Sequence, residues 1–162
     1  MNKLLIILGL ILSFQTYTIL THANHSQGPY DPSRDPFKDF ELAQKQATED
    51  DKLILIQIGG NWCSWCIRLE RFFDKSPKIK ELRDDTFVVM KVNVSSENYN
   101  EDFLAEMPEF EGYPFLVITD EDGNVLNSLT SGNLEEGSGY SASKFKEYFE
   151  YWKNAENKYV ND

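Results

Sequence analysis

The apolar run Leu53-Ile54-Leu55-Ile56-Gln57-Ile58 stops at Gly59-Gly60-Asn61 and is followed at once by Trp62-Cys63-Ser64-Trp65-Cys66. A short continuous apolar run predicts a strand buried on both faces, and such a strand needs covering layers above and below it. The two cysteines are the only ones in 162 residues. A strand that runs into Cys-x-x-Cys and then a helix is the arrangement used for reversible dithiol/disulfide chemistry.

The flanking sequence supplies the layers. Pro36 to Asp51 predicts a helix, with Phe37, Phe40, Ala43 (or Gln44) and Ala47 at helical spacing and Asp35-Pro36 as N-cap and first residue. A helix is expected from Cys63 to about Asp74, with Ile67, Leu69, Phe72 and Phe73 inward, and a second short one from Ser76-Pro77 through Leu82. Thr86 to Val94 is β-branched and apolar and predicts a second strand; Glu97 to Glu106 predicts a helix. Glu109 to Tyr113 is a loop ending at Pro114. Phe115 to Thr119 and Asn124 to Leu129 flank Asp120-Glu121-Asp122-Gly123, a hairpin signal. Ser131 to Ser141 reads as a Gly- and Ser-rich loop. Ser143 to Tyr159 predicts a last helix whose aromatic stripe, Phe145, Tyr148, Phe149, Trp152 and Tyr159, belongs to the core. The first two strands are joined through helices and are expected to be parallel; the hairpin adds antiparallel strands. The fold class is therefore α/β, a mixed sheet with helices on both faces.

At the N-terminus, Lys3 precedes the apolar stretch Leu4 to Phe14, and Thr21-His22-Ala23 resembles a small-x-small cleavage site. This predicts a signal peptide over residues 1–23, cut after Ala23 and leading to export, in preference to an uncleaved anchor. Residues 24–35 form an irregular leader and 36–162 the folded domain. Tyr30-Asp31-Pro32 in the leader is expected to brace the first helix, in preference to touching a partner. The formal charge of −11 argues against a nucleic-acid or anionic-membrane partner. Export places the cysteines where a disulfide persists, and two are too few for a disulfide-stapled scaffold.

Gly59-Gly60-Asn61-Trp62-Cys63-Ser64-Trp65-Cys66, Gly112-Tyr113-Pro114-Phe115-Leu116-Val117 and the hairpin Asp120-Glu121-Asp122-Gly123-Asn124 together resemble the thioredoxin superfamily. More narrowly, they look like its exported members with a Trp-Cys-x-Trp-Cys motif, over about residues 36–155. The resemblance implies a thioredoxin-like fold, a cis peptide bond before Pro114 opposite the cysteine pair, and backbone at Tyr113 that pairs with extended substrate. It implies protein thiols and disulfides as partners, with no bound cofactor. Two positions depart from the family. Gln57 stands six residues before Cys63, where thioredoxins commonly have a buried acid, and cannot titrate. Lys91 matches a lysine near that acid and is expected, lacking its partner, to extend to solvent. Trp65 stands where proline is common.

The thiolate is the attacking species in disulfide exchange, and a helix N-terminus favours negative charge at Cys63. Cys63 is therefore the expected nucleophile and Cys66, one turn deeper, the resolving thiol. Trp62 is expected to pack partly on the fold beside the nucleophile, and Trp65 to be more exposed and to contact substrate. Arg68 and Arg71 are expected on a solvated face. Three alternatives stand beside this. A purely structural disulfide would close a loop of four residues and stabilise weakly, by roughly 2 kcal/mol. A zinc site wants four ligands, and the only histidines are His22 and His25, outside the predicted domain. A redox-inert protein-binding module with a structural disulfide would use Trp62 and Trp65 as its patch. The direction of electron flow is expected to be that of a reductant or isomerase. A reductant outside the cytosol must be recharged, which implies a membrane electron donor.

Overall fold

The computed structural model describes residues 28–159, with side chains to residue 155. The predicted signal peptide, with Lys3 and Ala23, lies outside the described residues, as do His22, His25 and the side chain of Tyr159.

Helix α1 (Pro36–Asp50) starts where the sequence sets it: the Asp35 carboxylate accepts from the amides of Phe37 and Lys38, and Pro36 occupies the first turn. It ends at Asp51 in the left-handed region, φ 56°. Strand β1 (Leu53–Gly59) is buried at every position. Helices α2 (Ser64–Lys75) and α3 (Pro77–Thr86) lead to β2 (Phe87–Asn93), which pairs with β1 in parallel from Leu53↔Phe87 to Gly59↔Asn93. The short α4 (Glu101–Ala105) precedes β3 (Phe115–Thr119), antiparallel to β1, and β4 (Val125–Thr130), antiparallel to β3. The sheet order is β2-β1-β3-β4. A 3₁₀ turn (Ser131–Leu134) and a two-stranded ribbon, β5 (Glu135–Glu136) with β6 (Gly139–Tyr140), connect to α5 (Ala142–Tyr159).

Period two along β1 divides the core. Ile54, Ile56 and Ile58 meet Ala43, Ala47, Met90, Val92 and Phe103 on one face. Leu53 and Leu55 meet Leu69, Phe73, Ile79, Phe145, Phe149 and Trp152 on the other. Phe145, Tyr148, Phe149 and Trp152 of the predicted α5 stripe lie in this second layer, where Phe73, Phe145 and Phe149 pack ring to ring at 5.3–6.2 Å. Burying each such side chain contributes about 1.5–3 kcal/mol. The chain thus has the thioredoxin-like fold, a mixed sheet with helices on both faces.

Three predicted elements differ. The helix expected to stop at Leu82 continues one turn to Thr86, held by Lys80–Asp84 and Arg83–Asp84 ion pairs. The helix expected from Glu97 to Glu106 shrinks to Glu101–Ala105. Its first turn is captured by side-chain amides: Asn93 Nδ2 donates to the Asn98 carbonyl and Asn100 Nδ2 to the Asn93 carbonyl, 3.0 and 2.7 Å. The stretch 131–141, read as loop, contains the 3₁₀ turn and ribbon, because Gly137 at φ 59° permits a tight reversal and Tyr140 packs onto Phe72 and Phe145. The β3–β4 turn is as expected; Gly123, at φ +92°, lies against Phe40 of α1.

Candidate active site

Cys63 closes the turn between β1 and α2. Its amide donates to the Gly60 carbonyl at 3.0 Å, and its extended backbone (φ −84°, ψ 110°) makes it the N-cap of α2. Its Sγ accepts from the Cys66 amide at 3.1 Å, so an unpaired donor of the first helical turn is already aimed at this sulfur. Cys63 and Cys66 form a disulfide with Cα atoms 5.2 Å apart. Both are buried, Cys66 completely and Cys63 with 6% exposure, so the difference runs in the expected sense but is small.

The Tyr113–Pro114 peptide bond is cis. The register Ile58↔Phe115 starts β3 beside the end of β1, and the Tyr113 ring packs against the cysteine pair. Burial pushes the Tyr113 phenol pKa upward. The Pro114 carbonyl accepts from Ser131.

The two tryptophans exchange their expected places. Trp62 is 61% exposed, although its Nε1 donates to the Val94 carbonyl at 2.6 Å and its ring meets Tyr113 edge-on at 5.4 Å. Trp65 is half-buried between Tyr140, edge-on at 5.4 Å, and the Arg68 guanidinium, 4.7 Å from its ring centre. The physical reason is the β5–β6 ribbon, which brings Tyr140 onto the outer side of α2. Arg68 is exposed but stacked, and Arg71 is exposed. Beside Trp62 and Tyr113 runs a groove of about 1080 Å³, whose wall includes Pro32, Asn61 and Val94.

Lys91 does not extend to solvent. Its Nζ lies 2.6 Å from Glu70 Oε2, and the fully buried Gln57 donates through Nε2 to Glu70 Oε1 at 3.3 Å. The carboxylate that the strand lacks at position 57 arrives instead from α2, seven residues after Cys63. Its signal was an acidic residue on the helix face that carries Cys66 and Phe73.

Two further residues were not assigned to the cysteine pair from sequence. Tyr30 is completely buried and packs against Cys63 and Cys66, not against α1. Its amide donates to Asn61 Oδ1 at 3.1 Å, and Asn61 Nδ2 donates back to its carbonyl at 2.7 Å. Four residues on, Arg34 braces α1 through Asp39. One large aromatic in an otherwise polar leader was the available signal. Gly59 is the second. A Cβ there would sit 2.6 Å from Cys66 Sγ and 2.9 Å from the Tyr30 hydroxyl, so its lack of a side chain makes room for both.

A helix-capping cysteine, its partner one turn on, and a cis-proline at the head of the neighbouring strand make up a site of the thioredoxin-like class. The chain belongs to the thioredoxin-like family, whose model matches residues 35–121, more than half of its length. It is 21% identical over 112 residues to the thiol:disulfide interchange protein DsbD of Photorhabdus laumondii, covering 68% of this chain and 18% of that protein. This chain therefore spans about a fifth of the length of the curated relatives it matches. Among solved structures, a disulphide isomerase from Xylella fastidiosa superposes with a TM-score of 0.65 at 25% identity, covering 76% of this chain and 95% of that one. The C-terminal domain of Neisseria meningitidis DsbD, in its oxidised form, has a TM-score of 0.56 at 20% identity, covering 73% and 96%. Among the described residues, no helix is long and apolar enough to cross a membrane.

Proposed function

We propose that this protein is exported and reduces or isomerises protein disulfides, with Cys63 as nucleophile and Cys66 as resolving thiol. The observation that carries the roles is the N-cap position of Cys63: its sulfur already accepts the Cys66 amide, and the α2 dipole favours a thiolate there. Cys66 lies one turn deeper and has no exposed surface.

In this reading a substrate strand lies along the groove beside Trp62 and pairs with the backbone at Tyr113, which precedes the first β3 ladder residue, Phe115. Trp62, the more exposed tryptophan, contacts substrate, while Trp65 supports the helix start. Pro114 shapes that backbone. The reducing or isomerising direction is supported by the relatives, a disulfide interchange protein and a disulphide isomerase. Export rests on the sequence pattern of Lys3, Leu4–Phe14 and Ala23. A membrane electron donor follows as the source of reducing equivalents.

The test is reduction of insulin by the dithiol protein, paired with an equilibrium titration against glutathione. Proteins of this fold span about −270 to −120 mV. Turnover with a potential in the lower half of that range is expected. A potential at the oxidising end would reverse the direction, and binding without turnover would leave the redox-inert module.

A further inference from the structure

Tyr30 is the one large aromatic of the segment before α1, and its position is built rather than incidental. The two hydrogen bonds with Asn61 fix its backbone to the loop that carries Cys63, and Asn98 Nδ2 holds the Pro32 carbonyl at 3.0 Å two residues on. The ring enters the space beneath the disulfide and has no exposed surface. Among the described residues its hydroxyl has no hydrogen-bond partner in the oxidised protein. Leaving a buried hydroxyl unpaired is costly, so a group held this firmly without a partner points to a state in which it has one. The point where a Gly59 Cβ would stand lies within 3 Å of both that hydroxyl and Cys66 Sγ.

We propose that the Tyr30 phenol is the hydrogen-bond donor to the Cys66 sulfur when the Cys63–Cys66 bond is open. This rests on the redox reading of the pair given above.

Opening the disulfide creates the need for such a donor. A thiolate of a dithiol reductant attacks Cys63 Sγ; the new sulfur–sulfur bond forms there, the Cys63–Cys66 bond breaks, and its electron pair leaves on Cys66 Sγ. The negative charge moves from the attacking sulfur to one sealed from water. Neighbouring donors are already engaged. The Cys66 amide points at Cys63 Sγ, the Gln57 amide donates to Glu70, and the Lys91 ammonium is paired with Glu70. The phenol remains. Burial, then the negative charge of Glu70 and the nearby Tyr140, raise its pKa strongly, so it keeps its proton and serves as donor without transferring it. The same bond holds Cys66 ready as a thiolate when it later attacks a mixed disulfide on Cys63.

The test compares Tyr30→Phe with the parent protein. In a Cys63→Ser background, where Cys66 is the sole thiol, ultraviolet titration of the thiolate is expected to give a Cys66 pKa higher by about one unit in the phenylalanine variant, as loss of a hydrogen bond to a charged group implies. With both cysteines present, reduction by dithiothreitol, followed by tryptophan fluorescence, is expected to slow about tenfold. The melting temperature of the oxidised form is expected to hold or rise, because the oxygen removed has no partner there. An unchanged Cys66 pKa overturns the proposal. So does an equal fall in stability of both redox forms, or failure to fold, since either shows a packing role alone. The thiol titration needs no catalytic turnover: inactive parent protein would sink the oxidoreductase reading and leave the Tyr30 comparison decisive.

Discussion

Lys91 on β2 and Glu70 on α2 form an ion pair at 2.6 Å that ties the helix bearing the cysteines to the strand beside β1. Both side chains are less than a third exposed, so the pair is only partly screened. Glu70 also takes the amide of the buried Gln57. Glu70→Ala removes both bonds and leaves the Lys91 ammonium and the Gln57 amide without an acceptor. The expected loss is about 1–3 kcal/mol, read as a lower urea midpoint. Adding Lys91→Met should recover part of that loss.

Cys66→Ser is expected to accumulate mixed disulfides with protein substrates, because the resolving thiol is gone, whereas Cys63→Ser should trap none. Non-reducing gels of pull-downs from each variant make the comparison. Equal trapping by both would refute the division of roles between the two sulfurs.

Gly59→Ala places a methyl group where Cys66 Sγ and the Tyr30 hydroxyl already stand, at 2.6 and 2.9 Å. Overpacking of this kind costs about 1–3 kcal/mol. Chemical denaturation of the oxidised variant should show that loss.

Alkaline stability follows from the buried phenols. Tyr140 is pushed from 10.0 to about 12, mainly by burial and further by the Glu135 charge, against opposing effects of Ser131 and Arg68. Burial also raises Tyr148 and Tyr30. The unfolded chain loses these protons near pH 10 while the folded chain keeps them. Above that pH the unfolded state binds fewer protons, so stability falls as pH rises. The contribution is complete below about pH 10 and is lost through about pH 12 for Tyr140. Urea midpoints measured between those limits should decline, and Tyr140→Phe should flatten the decline.

The sheet and its helices were legible because their signals are local. The unbroken apolar run set β1, Asp35-Pro36 set the start of α1, and Asp120 to Gly123 set the hairpin. The cysteine pair was legible for the same reason, as was the cis bond through its family resemblance. What escaped depends on partners distant in sequence. The turn at 95–100 obeys Asn93 and Asn100, whose amides compete with helical hydrogen bonds. The exposures of Trp62 and Trp65 were reversed because Tyr140 arrives from a ribbon that reads as loop. Lys91 was left without a partner because a carboxylate was sought on the strand, and Glu70 comes from the helix. Tyr30 could not be placed beside the cysteines without knowing that Asn61 holds its backbone.

The antiparallel register of β1 and β3 has a consequence for how this site tolerates change. Ile58 is paired with Phe115, so the strand that delivers Cys63 stops where the strand that follows Pro114 begins. The cysteine turn and the cis-proline are brought together by ladder hydrogen bonds, and the chain between them does not set their spacing. Insertions between Ser95 and Glu109 would lengthen a connection while leaving both ends in place. A one-residue slip of β3 would instead turn its side chains to the opposite layer, and would separate the two halves of the site without altering a single residue in either.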